Sequence, residues 1–307
     1  ALLFAAFFGW KNFMFSRRLF TTSACLTLLA GCASAKTDHR SASLQAHCQA
    51  LEAKAQGRLG VSIVDTATGQ QWGWREDERF MMLSSFKLLA SALVLHRVDQ
   101  GQESLQRRMA YPRSALIPWS PITEKHADGP GLTLGELCAA TITTSDNTAG
   151  NLILESYGGP AALTAYARQL GDAVTRLDRN EPTLNRPSSD GLLDTTSPRA
   201  MAQTMHKLLV GGALSTASRQ QLRQWLLANT TGGKRLKAGV PASWQVGDKT
   251  GTNATDANDI GFLIPPQGAP WIVTAYLAGS SAEGAVKDAC LADVAAWVAQ
   301  QVAAQGA

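Results

Sequence analysis

Leu83-Ser84-Ser85-Phe86-Lys87 sets a serine three residues ahead of a lysine, at the point where a long apolar helical pattern begins. Residues three apart share a helix face, so the Lys87 amine would reach the Ser84 hydroxyl. A helix N-terminus adds a positive end and free backbone N–H groups that stabilise an oxyanion forming beside Ser84. A serine hydroxyl is a poor nucleophile until a neighbouring base and such a hole activate it. Ser84 therefore reads as a nucleophile. The plainer alternative is an N-cap serine followed by a solvated lysine, and the rest of the chain has to separate the two.

Upstream, apolar Leu44, Cys48, Leu51 and Ala55 recur at helical spacing from Ser41 to Ala55, and Gly57 ends the pattern. Leu59 to Asp65 and Gln71 to Arg75 are β-rich runs joined by Thr66-Ala67-Thr68-Gly69-Gln70, a hairpin that needs further strands to be stable. Downstream, helical periodicity covers Ser84 to Val98, Leu132 to Ser145, Thr148 to Tyr157, Pro160 to Leu170, Ser197 to Leu209 and Ser215 to Ala228. Leu177 to Leu193, proline-rich and polar, interrupts the series; so long a loop inside a compact domain is usually functional or disordered. Strand character returns at Trp244 to Gly247, Asp259 to Ile264 and Trp271 to Leu277, and Ala285 to Ala304 closes as an amphipathic helix. Strands from both ends around a helical middle imply an α/β domain made of 41–79 and 229–307, with an all-α domain, 80–228, inserted.

The chain has 307 residues, 45% hydrophobic and 17% charged, enough for one large or two medium globular domains with a sizeable core. Its 28 basic residues against 24 acidic include Lys11, Arg17 and Arg18 of the leader, so nothing points to nucleic acid or a charged surface as partner. Five cysteines without C-x-x-C spacing and five histidines without H-x-x-x-H leave no zinc signature, and neither a metal nor a cofactor is expected.

The segment before Met14 reads as upstream sequence in frame, with residues 1–35 as leader. Ser16-Arg17-Arg18-Leu19-Phe20 followed by the weakly apolar Thr21-to-Gly31 run reads as an export signal of twin-arginine type, too short to span a membrane stably. Leu29-Ala30-Gly31-Cys32 resembles a lipobox that would lipidate Cys32; cleavage after Ala33-Ser34-Ala35 is the rival. Either places the protein in the periplasm, anchored or not. Cys48, Cys138 and Cys290 remain, with Cys138 in an apolar run reading as a buried thiol and a Cys48–Cys290 bridge between terminal helices as an open alternative.

Three further fragments change the weight of the opening pentapeptide. Ser145-Asp146-Asn147 falls between two helical patterns, Lys249-Thr250-Gly251-Thr252 ends a strand, and Glu181-Pro182-Thr183-Leu184-Asn185 lies in the long loop. Taken singly they are cap, turn and loop residues. Together, S-x-x-K, S-D-N and K-T-G in this order make the chain resemble the class A serine β-lactamases and the penicillin-binding proteins. Ser120-Pro121-Ile122-Thr123-Glu124-Lys125-His126, Arg176-Leu177-Asp178-Arg179 and Asp194-Thr195-Thr196 extend the likeness over the chain from about Ser41 onward. It implies an α+β fold of serine β-lactamase and penicillin-binding-protein type, with an antiparallel sheet flanked by terminal helices, an all-α domain, and an active-site loop over 176–194. It also implies a monomer acting on β-lactam small molecules.

The resemblance assigns roles residue by residue. Ser84 attacks the β-lactam carbonyl, and the N–H groups of Ser84 and Thr252 form the oxyanion hole, each such donor being worth about 3 to 4 kcal/mol. Lys87 lies in proton-transfer range, and Ser145 with Lys249 relays a proton to the lactam nitrogen. Asn147 binds the substrate side-chain amide; Lys249, Thr250 and Thr252 of the Lys249-Thr250-Gly251-Thr252 strand face its carboxylate. Glu181 holds and deprotonates the hydrolytic water, with Asn185 as the second ligand of that water; the acylation base stays open between Lys87 and Glu181. Pro182 permits the cis peptide that the family uses after this glutamate. Arg179 and Asp194 bracket the loop as an ion pair, Arg235 reaches the substrate carboxylate, and Trp119 stands at the cleft entrance.

Some positions depart from the family. Asn180 stands where a tryptophan is common, Leu83 and Asn253 exclude one known disulfide, and the helix after Ser84 lacks a cysteine to pair with Cys138. A penicillin-binding peptidase or a β-lactam sensor would acylate without efficient turnover, and Glu181 with Asn185 argues against both.

Overall fold

The computed structural model describes residues 24–304, and side chains from 39 onward. Met14 and the Ser16-Arg17-Arg18 signal lie outside the described residues, as does the side chain of Cys32. Contacts divide the chain after Arg40, and the described residues from Ser41 onward form one compact unit. No helix among the described residues is long and apolar enough to cross a membrane.

Helix α1 (Ala24–Ala55) ends where its apolar spacing ends, but the left-handed residue after it is Gln56, at φ 49°, rather than Gly57. Gly57 serves close approach: a Cβ there would stand 2.9 Å from Ser280 Cβ. Strands β1 (Arg58–Asp65) and β2 (Gln71–Trp74) form the expected hairpin, Val61 opposite Trp74 and Val64 opposite Gln71. Then come β3 (Phe80–Met81), a 3₁₀ turn at Leu83–Ser85 and α2 (Phe86–Asp99). The short β4 (Arg108–Met109) pairs with β5 (Leu132–Thr133), and helices α3 (Leu134–Thr143), α4 (Asn147–Ser156) and α5 (Pro160–Gln169) follow. After the 176–194 loop, β6 (Thr195–Thr196) pairs with β3, and α6 (Pro198–Leu209) and α7 (Thr216–Leu227) lead to the last strands. These are β7 (Gln245–Thr252), β8 (Ala257–Ile264) and β9 (Trp271–Ala278), closed by α8 (Gly284–Ala303).

The five long strands form one antiparallel sheet in the order β2-β1-β9-β8-β7, so the two ends of the chain meet at β1 and β9. Alternation along β9 supplies two cores at once. Trp271, Val273, Ala275 and Leu277 join Leu44, Leu51, Leu291 and Trp297 of α1 and α8; Ile272 and Tyr276 join the buried helices of the middle. Helix α2 is buried at every position from Phe86 to Leu95, and each such leucine is worth about 2 kcal/mol of transfer free energy. Cys48 and Cys290 lie in the α1–α8 core and Cys138 in the other; all three are free, so no bridge joins Cys48 to Cys290.

Candidate active site

The nucleophile turn is set by backbone rather than by capping. Ser84 lies in the 3₁₀ turn, where i and i+3 eclipse, while the cap position of α2 falls to Ser85, which makes no side-chain cap bond. The Ser84 hydroxyl is thereby left to other partners, and Lys87 Nζ donates to its Oγ at 2.9 Å. Leu83 sits at φ 49°, an uncommon conformation for a branched side chain, and β7 packs directly against it. A Cβ on Gly251 would stand 2.9 Å from Leu83 Cβ, 3.0 Å from Met82 O and 3.2 Å from Ser84 N. Only glycine lets the strand lie flush with the turn, which brings the Ser84 amide beside the strand segment carrying Thr252.

Lys87 is fully buried and spends its amine on four oxygens besides that of Ser84. It donates to Ser145 O at 2.9 Å, Ser145 Oγ at 3.3 Å and Asn147 Oδ1 at 2.6 Å, and it pairs with Glu181 Oε1 at 3.3 Å. Burial pushes its pKa below the usual lysine range, against the pull of Glu181. Lys249, equally buried, donates to Ser145 Oγ at 3.1 Å and to Thr250 O at 2.7 Å. Burial first, and then the neighbouring Lys87, hold it well below the ordinary value. Ser145 thus bridges two amines, each biased toward releasing a proton.

Ser145 is presented at φ 59° by the loop before α4, and Asp146 explains how that loop is held. Asp146 caps α4 by accepting from Ala149 N at 2.8 Å, and its Oδ2 accepts from the amides of Ile122 and Thr123 at 3.0 and 2.9 Å. It clamps the 118–123 segment to the helix and leaves the chemistry to its neighbours. Asn147 completes the clamp, its Nδ2 donating to Pro118 O and its amide to Trp119 O, both at 2.9 Å. Trp119, 65% exposed, stands at the rim.

Glu181 approaches from the opposite side. Its Oε1 accepts from Ser84 Oγ at 3.4 Å and its Oε2 from Asn185 Nδ2 at 2.6 Å. The Glu181–Pro182 peptide is cis, as expected. Asn151 of α4, which sequence reasoning missed, grips Glu181 by its backbone: Glu181 N donates to Asn151 Oδ1 at 3.0 Å, and Asn151 Nδ2 donates to Glu181 O at 2.9 Å. Its spacing of four from Asn147, on the same helix face, was the available signal. The loop's base is pinned by Arg179 Nε to Asp194 Oδ2 at 2.6 Å, by the amides of Asp178 and Arg179 to Asp194 Oδ1, and by Met82 N to Asp194 O at 2.9 Å.

A cleft of about 360 Å³ opens between these parts, lined by Ser84, Trp119, Ser145, Asn147, Asn185, Thr231, Arg235, Thr250, Gly251 and Thr252. Lys87, Lys249 and Glu181 are buried in the bonding network that surrounds it. Arg235 donates to Thr252 Oγ1 at 2.8 Å and to Gly251 O at 3.0 Å, with Asp288 holding its Nε at 2.8 Å. Thr231, not singled out from the sequence, shares a 2.6 Å hydrogen bond with Thr250 Oγ1. Among the described residues no group of His, Cys, Asp or Glu is arranged to hold a metal.

A family model described as the β-lactamase enzyme family matches residues 43–302. The chain is similar to β-lactamase L2 of Stenotrophomonas maltophilia, 46% identical over 86% of this chain and 88% of that protein. It is also similar to β-lactamase CTX-M-8 of Citrobacter amalonaticus, 44% identical over 85% of this chain and 89% of that protein. Among solved structures, an ancestral class A β-lactamase superposes with a TM-score of 0.82 at 54% identity, covering 84% of this chain and 99% of its own.

Proposed function

The chain belongs to the class A serine β-lactamases and hydrolyses β-lactam antibiotics, conferring resistance to them, and we propose how its own residues carry the reaction. Ser84 Oγ attacks the lactam carbonyl while the amides of Ser84 and Thr252 receive the developing oxyanion. The hydroxyl proton leaves toward the Lys87 and Glu181 pair, both within hydrogen-bond range of Ser84 Oγ. As the ring opens, Ser145 hands a proton to the lactam nitrogen and is resupplied from Lys87 or Lys249, whose burial favours their neutral forms after transfer. Thr231, Thr250, Thr252 and Arg235 receive the substrate carboxylate, with Arg235 able to form charge-assisted bonds. Asn147 orients the side-chain amide, and Trp119 covers the entrance.

The observation that carries the deacylation half is Glu181: one oxygen is within 3.4 Å of Ser84 Oγ and the other is held at 2.6 Å by Asn185. A carboxylate so placed can draw the proton from a water attacking the ester carbon. Mixing purified Glu181→Ala protein with a penicillin tests it by intact mass: a persistent acyl adduct is expected, and normal turnover would remove Glu181 from the role.

Export by the Ser16-Arg17-Arg18 signal, lipidation at Cys32, a monomeric state and the two-domain division at 79/80 and 228/229 remain part of the same proposal. Mass spectrometry of the membrane and periplasmic fractions distinguishes a diacylglyceryl Cys32 from a chain beginning at Lys36.

A further inference from the structure

Two walls of the cleft hang from the end of one helix. Helix α3 stops at Thr143, and the last carbonyls of a helix have no partner within it. Segments far away in the chain supply the missing donors. Thr143 O accepts from Thr230 N at 2.9 Å and from Thr230 Oγ1 at 2.7 Å. The next carbonyl, Thr144 O, accepts from the Trp119 indole Nε1 at 3.0 Å. Adjacent peptide units therefore carry the rim tryptophan on one side and, on the other, the segment that leads into Thr231.

The residue that follows is Ser145, which bridges Lys87 and Lys249. Its surroundings are fixed on the helix side: Thr144 N and Thr144 Oγ1 donate to Ala140 O at 3.1 and 2.9 Å, and Thr141 Oγ1 donates to Asp146 O at 3.1 Å. Beyond Thr230, the Thr231 hydroxyl shares its 2.6 Å hydrogen bond with Thr250 Oγ1, and both of these threonines line the cleft. Thr230 itself is exposed and stands outside that lining. No step of the reaction calls on it, yet it gives both of its donors to one carbonyl two residues before Ser145. An exposed hydroxyl exchanges such a bond for water at little net cost. The effect of the bond therefore lies in the orientation it gives the Thr143–Thr144 peptide.

We propose that Thr230 is a positioning residue for the substrate carboxylate: by holding Thr143 O through both donors it sets where Thr231 stands, and through the adjoining Thr144 carbonyl it couples that wall to the Trp119 rim. A carboxylate that pulls on Thr231 turns the Thr143–Thr144 peptide, and the rotation reaches the indole through the next carbonyl. The rim thus responds to what the opposite wall has bound. Coupling between sites is reciprocal, so a displaced indole also weakens the hold on the carboxylate.

The kinetic arms rest on the cleft being the β-lactam site; the spectroscopic arm does not. In the free protein the Trp119 indole N–H resonance, identified by its absence from Trp119→Phe, should shift in Thr230→Val and exchange with solvent several-fold faster. Valine keeps the shape of threonine and removes one donor, so Thr230→Val should raise KM for a carboxylate-bearing cephalosporin about fivefold with kcat little changed. Thr230→Ser, which keeps the hydroxyl, should hold KM within about twofold of the wild-type value. For a penicillin methyl ester, which lacks the carboxylate, valine should leave kcat/KM within about twofold. Trp119→Phe keeps an aromatic ring and loses the donor; combined with Thr230→Val it should raise KM by less than the product of the two single effects. An unmoved indole resonance, a serine variant as impaired as valine, equal losses on acid and ester, or fully multiplicative effects overturns the proposal. A protein that shows the resonance shift but turns over no β-lactam overturns the catalytic reading and leaves the coupling standing.

Discussion

The two halves of the active site are built by different means. The Ser84–Lys87 side rests on periodic structure: a turn leading into fully buried α2, a strand pressed against it at Gly251, and Ser145 at the mouth of α4. The Glu181 side rests on a loop whose regular structure is a single 3₁₀ turn at Thr183–Asn185, held by Asn151, Asn185 and the Arg179–Asp194 pair. Packing defines the first and side-chain hydrogen bonds define the second. Loss of the nucleophile itself apart, acylation should therefore be hard to perturb without altering the fold, while deacylation should be separable from it by single substitutions.

The comparison breaks if both halves respond alike. Ser84→Ala should abolish turnover by about 10⁶-fold with the thermal midpoint unchanged within a degree or two, read by steady-state hydrolysis and calorimetry. Glu181→Ala should leave a rapid acylation burst yet slow steady turnover by about 10³-fold, the middle of the range for a positioned base. Stopped-flow of a chromogenic cephalosporin separates burst from steady rate, and loss of the burst itself would join the two halves. Gly251→Ala sharpens the contrast: its Cβ must displace Leu83 or the Ser84 amide, so the acylation rate should fall about 10²-fold. Asn151→Ala, which removes two backbone bonds from Glu181, should lower the deacylation rate about tenfold and spare the burst amplitude.

Much of the fold was legible because burial follows period. The alternation along β9 and the helical spacing of α2 are visible in the residues themselves. Strand β7 was legible in pieces: Trp244 to Gly247 read as strand and Lys249-Thr250-Gly251-Thr252 as a strand end, whereas the strand runs unbroken to Thr252 and buries the polar Asp248, Lys249 and Thr250. Those side chains tolerate burial because Ser145, Asn229 and Thr231 meet them from segments more than fifteen residues away in sequence. Positive φ at Leu83 and Ser145 could not be read at all, since neither residue type favours it. The loop was recognisable by its lack of pattern, and its glutamate by its motif. Asn151 and Thr231 carry no motif and became visible only through their partners.

One bond described above makes the two halves readable from a single atom. The Met82 amide, two residues before the nucleophile, donates to the carbonyl of Asp194 at the foot of the loop. Its hydrogen therefore exchanges with solvent deuterium only when the loop base parts from the nucleophile turn. Its protection factor is a built-in gauge of how often the hydrolytic half detaches, measurable residue by residue without substrate or substitution.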